Sequence, residues 1–272
     1  MRCQRRLLGS HSLLRQLREH RRKVWTRRLP HHALMIKVDR LYAATYGKRM
    51  QTSLDLRPTH RIAVLASVDV VAAVTVDDLP RLTPCDGWNL ADLLTHMTVQ
   101  HHGFAAAARG QGADLAIWEP ATVAGAVASD PAVTYSAAAA DVIDAFAAAD
   151  VPDAMFALPE FGPGITVPGS VAIGFHFVDY VVHGWDVART MDSPFELPAG
   201  VVAAALPVAS AVPDGEFRTA PNALFRPAIQ STDQADDLDR ILAYLGRSPE
   251  WTPPPRPDGT RRVRQRLDLG NP

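Results

Sequence analysis

Apolar positions recur along this chain mostly at helical spacing. THRIAVLASVDVVAAV, from Thr59 to Val74, mixes apolar positions with few polar ones and predicts a mostly buried first helix despite its β-branched residues. DDLPRLTPCDGW then brings two prolines and a glycine, the composition of a loop. Asn89 follows as an N-cap with Asp92 three residues on, a variant of the capping box, and LADLLTHMTVQHHGFAAAARG predicts a second helix ending at Gly110. Leu90, Leu93, Leu94 and Met97 form its apolar stripe. His96 lies between Leu93 and Met97 on the helical wheel, so it is able to face inward.

Pro131 to Ala149 predicts an alanine-rich third helix with Asp141 and Asp144 on its wet side. VPDAMFALPEFGPGITVPGS is dense in proline and glycine and reads as irregular, with a short extended piece around Ile165 and Val167. The fourth helix is expected from Ser170, taken as its cap, to about Met191. A further apolar helix follows Pro198, and DQADDLDRILAYLGRSPEW predicts a short amphipathic one closed by Gly246. Four long helices, with no internal repeat and no alternating strand pattern of any length, predict an all-α fold, a helical bundle with a small C-terminal helical extension.

Charge divides this picture sharply. The first 50 residues hold 14 Lys/Arg against Glu19 and Asp39, whereas the remainder holds 14 basic and 27 acidic residues. An acidic body with a basic leader is the result. The leader has no apolar stretch of the length a secretory signal needs, and no run in the chain approaches the roughly 20 apolar residues that span a bilayer. We expect residues 1–49 to be a disordered leader or the product of a start codon assigned too far upstream. Residues 50–192 form the bundle, 193–251 the helical extension and 252–272 a disordered tail. An organellar transit peptide and a nucleic-acid arm are the remaining readings of the leader, and the acidic body speaks against the second. Two cysteines, Cys3 and Cys85, give no disulfide framework and suit a reducing, cytoplasmic interior. Cys85 reads as a small buried residue beside a turn.

The chemistry lies in FHFVDYVVHGWDVA. Asp179 and His183 are four residues apart, which turns both onto one face of a helix about one turn apart, and His96 on the second helix would complete a three-donor set with an open position. Two imidazoles and a carboxylate suit zinc or another borderline divalent ion. The bland alternative is an ordinary Asp–His surface pair with His96 as a satisfied core histidine. Ile173, Phe175, Phe177, Val178, Val181 and Val182 weigh against a fully wet face, because a carboxylate buried among them needs a partner.

Other polar residues have lesser expected roles. Asp186, three residues after His183, is placed to accept a hydrogen bond from its second ring nitrogen, or is exposed or linked to the TPCDGW loop. His176, about 10 Å along the axis from His183, lines the mouth of the site or packs. Asp92 reads first as a helix-start residue and second as a rival ligand, His101 and His102 as solvated, and Trp88 and Trp185 as packing anchors. No phosphate loop, dinucleotide fingerprint or nucleophile elbow is present.

TPCDGWNLADLLTHM, DYVVHGWDVA and LDRILAYLGRSPEW together resemble the mycothiol-dependent maleylpyruvate isomerase-like family of the wider DinB-like metal-binding superfamily. The resemblance covers about residues 57 to 251. It implies a DinB-like four-helix bundle holding one divalent metal, zinc in the first instance, through His96, Asp179 and His183. It further implies mycothiol as thiol cosubstrate, its metal-bound thiolate attacking a small electrophilic substrate in an isomerase or transferase reaction, with no nucleic-acid or membrane partner. The competing expectation is a non-catalytic metal-binding or stress-response protein. One departure stands out: the family's isomerases carry glutamate where this chain has Asp179, so the ion must sit nearer this helix or the carboxylate binds weakly or through water.

Overall fold

The computed structural model describes residues 55–219 and 225–255. The expectations for the leader, and for the tail beyond residue 255, lie outside the described residues. Helix α1 spans Arg57–Val71, α2 Leu90–Ala108, α3 Ala124–Ser129, α4 Pro131–Ala147, α5 Gly169–Thr190, α6 Ala199–Ser210 and α7 Asp237–Tyr244. Strands β1 (Met155–Ala157) and β2 (Thr166–Pro168) form an antiparallel hairpin in which Phe156 pairs with Val167. None of these helices is long and apolar enough to cross a membrane.

The bundle closes as a ring: α1 packs on α4 and α5, and α2 packs on the same two helices. Helices α2, α4 and α7 begin where the sequence supplies a side-chain partner for a free backbone N–H of the first turn. Asn89 Oδ1 accepts from Asp92 N at 2.9 Å and Asp92 Oδ2 accepts from Asn89 N at 3.3 Å, the expected capping box, a contribution of about 1 kcal/mol to α2. Asp130 caps α4 through Val133 N at 3.1 Å, and Asp236 caps α7 through Asp239 N at 2.8 Å. Gly246, at φ +80°, ends α7 in the left-handed conformation expected of it.

Two expectations need correction here. The first helix stops at Val71, because Thr75 turns the chain: its N and Oγ1 both donate to Asp78 Oδ2, at 3.1 and 2.8 Å. Ser170 is not the cap of α5. The helix starts directly from β2, with Gly169 N donating to Ala154 O at 2.7 Å across the hairpin, and a Cβ at Gly169 would stand 1.9 Å from Val151 O. The tertiary contact of the hairpin, rather than a side-chain cap, sets that boundary.

The interior has two apolar clusters. Phe104, Phe146, Phe156, Ile173 and Phe177 fill the hairpin end, joined by Val201, Ala205, Ile241 and Leu242 from α6 and α7. Val64, Leu90, Leu93, Leu94, Met97, Tyr135 and Tyr180 fill the other. The chain after α6 is tied down by Arg218, fully buried, which donates to the carbonyls of Pro213, Val212, Arg226 and Tyr244. A buried guanidinium is tolerated only when its N–H groups are paired in this way. Its bond to Tyr244 O fixes the end of α7, three residues before Arg247.

Candidate metal centre

Helix α5 presents Asp179 and His183 one turn apart, as the spacing of four requires, and α2 brings His96 against them. Asp179 Oδ1 lies 3.3 Å from His183 Nε2 and Asp179 Oδ2 lies 3.8 Å from His96 Nε2. One donor atom from each of the three residues falls within 4.8 Å of the other two. The Trp88 ring sits 5.0 Å from the His96 ring, which meets the His183 ring edge-on at 5.2 Å. The His96 and Asp179 side chains keep about a quarter of their surface exposed, 27% and 25%, whereas His183 keeps 7%. The group is open on one side and backed by protein on the other.

The separations test whether the residues fit an ion. Donor bonds of about 2.0–2.2 Å in tetrahedral geometry place neighbouring donor atoms about 3.3–3.6 Å apart. The observed 3.3 and 3.8 Å bracket that span, and 3.8 Å is too long for a hydrogen bond between His96 and Asp179. The donor set therefore fits a divalent ion of the zinc type.

Behind His183 stands a second layer. His183 Nδ1 is 2.9 Å from Asp186 Oδ2, the contact expected of Asp186. Arg247 reaches the same oxygen at 3.3 Å, and the Cys85 Sγ lies 3.3 Å from it, 3.1 Å from Arg247 Nη2 and 3.8 Å from His183 Nδ1. Cys85 is accordingly half-buried and part of a polar cluster, not the plain buried turn residue expected from sequence. Cys85, His183 and Asp186 are themselves close enough to form an alternative donor set, on the opposite ring nitrogen of His183.

The electrostatics follow from this crowding. Burial opposes ionisation of Asp179, but His183, His96 and Arg247 more than offset it and lower the carboxyl to about 2. Burial likewise opposes a charge on His183, yet Asp179, Cys85 and the hydrogen bonds to Asp179 and Asp186 together raise it well above the ordinary histidine value. His96 is dominated by burial, which lowers it to about 4 against the pull of Asp179. Asp186 is held below the usual carboxylate range by Arg247 and His183, again against burial. Without a metal, the site thus carries an imidazolium at His183 between two carboxylates and a neutral His96 with a free lone pair.

Of the remaining histidines, His101 is fully buried rather than solvated as expected, and His176 packs in the core, the second of its two expected roles. His60 Nε2 is 2.8 Å from His176 Nδ1, and His176 Nε2 is 3.2 Å from His101 Nδ1, a buried chain of three imidazoles of which His101 and His176 stack on Tyr180. Asp92 serves the capping box, and His102 is half-buried near Arg109 and Asp141. Sequence reasoning missed Arg247, although it follows the helix-ending Gly246 directly. It also missed the bond from Gln100 Nε2 to Glu160 Oε2, 2.8 Å long, which links α2 to the hairpin tip.

Comparisons with known proteins bear on this geometry. The family described as Mycothiol maleylpyruvate isomerase N-terminal domain matches residues 60–188, a range that contains His96, Asp179 and His183. Two relatives from Mycobacterium tuberculosis, Uncharacterized protein MT0763 of strain CDC 1551 / Oshkosh and Uncharacterized protein Rv0738 of strain ATCC 25618 / H37Rv, are each 30% identical over 195 residues, covering 72% of this chain and 99% of theirs. A solved structure, the crystal structure of the mycothiol-dependent maleylpyruvate isomerase, aligns over 57% of this chain and 66% of its own with 14% identity and a TM-score of 0.42. The family match across α1 to α5, with relatives aligned over almost their full length, leads to one conclusion: the chain belongs to the mycothiol maleylpyruvate isomerase N-terminal domain family.

Proposed function

We propose that the chain is a metal-dependent enzyme that uses mycothiol against a small electrophilic substrate, as an S-transferase or a cis–trans isomerase. The observation that carries this reading is the half-open group of His96, Asp179 and His183, with donor separations that suit a divalent ion. Family membership supports the choice of thiol.

An ion held by His96, Asp179 and His183 would supply positive charge that lowers the pKa of a coordinating thiol and keeps it a nucleophilic thiolate near neutral pH. The chain's own residues prepare for that. Asp186 accepts from His183 Nδ1, which fixes the tautomer and aims Nε2 at Asp179. Arg247 balances the charge of Asp186, so the carboxylate stays ionised in the interior. Trp88 packs on His96 and restricts its ring, while the exposed edges of His96 and Asp179 leave a ligand a path of approach. Dependence on a small intracellular thiol would place the protein in the cytoplasm.

Metal analysis of the purified protein, followed by titration with mycothiol, tests the reading. We expect about one divalent ion per chain, a sulfur-to-metal absorption band on adding mycothiol to cobalt-substituted protein, and proton release on binding. Stoichiometric metal with neither band nor proton release would instead identify a non-catalytic metal-binding module.

A further inference from the structure

One polar pair beside the candidate metal centre has no part in holding it. Gln100 lies four residues after His96 on α2, on the same face and about 6 Å further along the axis. Helices α2 and α5 run antiparallel, since His96 meets Asp179 and His183 while His101 meets His176. Gln100 is therefore level with the turn of α5 that precedes Asp179. Glu160 reaches the same place from the hairpin tip, where Pro159–Phe161 form a turn of 3-10 helix and Phe161 packs on Phe175 with ring centroids 5.4 Å apart. Phe175 is one turn before Asp179 on α5. The Gln100–Glu160 bond thus spans the seam between the two ligand-bearing helices, about one turn along from the donor set.

The two partners are unequally exposed. Gln100 is 8% exposed, so its amide is fixed by the surrounding helices, while Glu160 keeps part of its surface in solvent with its carboxyl crowded by protein. A carboxylate on an exposed loop ordinarily swings freely; this one is anchored through a single oxygen to a buried amide at 2.8 Å. Its second oxygen is the natural acceptor for a ligand. Burial, with the charge of Asp179, raises the Glu160 carboxyl to about 7 against the hydrogen bond from Gln100, so near neutral pH it accepts hydrogen bonds when ionised and also donates one when protonated, which suits a hydroxyl-rich partner.

We infer that Gln100 and Glu160 form the recognition subsite for the hydroxyl-rich end of the thiol cosubstrate, the end that extends from the open side of the donor set once the sulfur is placed there. The inference rests on the thiol-using reading above and deepens it by separating two functions in space. His96, Asp179 and His183 take the sulfur end, and Glu160 selects a thiol that carries a sugar or polyol over one that does not.

The test compares two thiols on cobalt-substituted protein, with the sulfur-to-metal band as readout: mycothiol, whose thiol is joined to an amino sugar and inositol, and 2-mercaptoethanol, which has no such tail. Glu160→Ala should retain one ion per chain and an unchanged dissociation constant for 2-mercaptoethanol, while mycothiol binding weakens by roughly tenfold, the loss of the hydrogen bonds that the carboxyl makes. Gln100→Ala should give a loss in the same direction through loss of the anchor. Equal mycothiol affinity in wild type and Glu160→Ala, or an equal loss for both thiols, would overturn the subsite and leave the thiol-using reading intact. Loss of the ion in Glu160→Ala would overturn it too, by assigning Glu160 to the metal. Failure of wild type to bind either thiol would overturn the function and the subsite together.

Discussion

His183 Nδ1 and Asp186 Oδ2 lie 2.9 Å apart on consecutive turns of α5, and both residues are buried. The contact decides which ring nitrogen of His183 is available. With Nδ1–H donated to Asp186, Nε2 alone faces Asp179 and His96, and the ring is held by a partner that Arg247 in turn stabilises.

Asp186→Asn should therefore weaken metal binding without removing a ligand. The amide keeps the shape but loses the charge that orients the ring, and such changes typically cost about 10–100-fold in metal affinity. Competition against a chelator of known affinity measures the effect. An unchanged affinity would mean that the ring is oriented by packing alone.

Direct removal of a donor should be more severe. His96→Ala and His183→Ala should each reduce the metal content of purified protein to near zero, read by elemental analysis with circular dichroism as the control for folding. Asp179→Glu restores the carboxylate typical of the family's isomerases and is expected to retain about one ion per chain. A steep loss there would mean that the pocket is built around the shorter side chain.

Metal uptake should also release a proton. His183 has its pKa raised well above the ordinary value, whereas Asp179 is already ionised and His96 already neutral at pH 7. Below the His183 pKa the ion must displace about one proton, so apparent affinity should rise about tenfold per pH unit and level off above it. Calorimetry in buffers of different ionisation enthalpy counts the proton. A pH-independent affinity between 6 and 7 would contradict the assignment of His183 as a ligand.

The buried chain of His60, His176 and His101 makes a separate prediction about stability. Burial lowers His60 to about 3 and holds His101 and His176 well below their ordinary value, with Asp179 acting against the lowering at His101. The unfolded chain takes up these protons near pH 6.5 and the folded chain does not. Their contribution is complete above pH 6.5 and is lost as pH falls, at up to about 1.4 kcal/mol per pH unit for each histidine. Urea denaturation of metal-free protein at pH 7 and pH 5 should show that loss, and His60→Phe, placed against Phe146 at 4.9 Å, should make the dependence shallower by about one proton.

Much of this was legible in the amino-acid sequence. The spacing of Asp179, His183 and Asp186 on one apolar helix is local, and a helix converts spacing into direction without outside help. The same holds for the Asn89–Asp92 capping box and for Gly246. His101 was misread although the stripe of Leu94 and Met97 runs on through it to Phe104. A polar residue on an apolar stripe looks solvated until its partners on other helices are known.

Sequence alone thus determined the long helices, their apolar faces and which residues of one helix could act together. Tertiary structure decided everything that depends on chain segments far apart meeting: His96 against Asp179, Arg247 and Cys85 behind Asp186, Glu160 on Gln100, and the start of α5 at Gly169. The reason is physical. Local geometry is encoded by backbone periodicity within a few residues, whereas the charge, burial and pairing of a side chain are set by neighbours that only packing supplies.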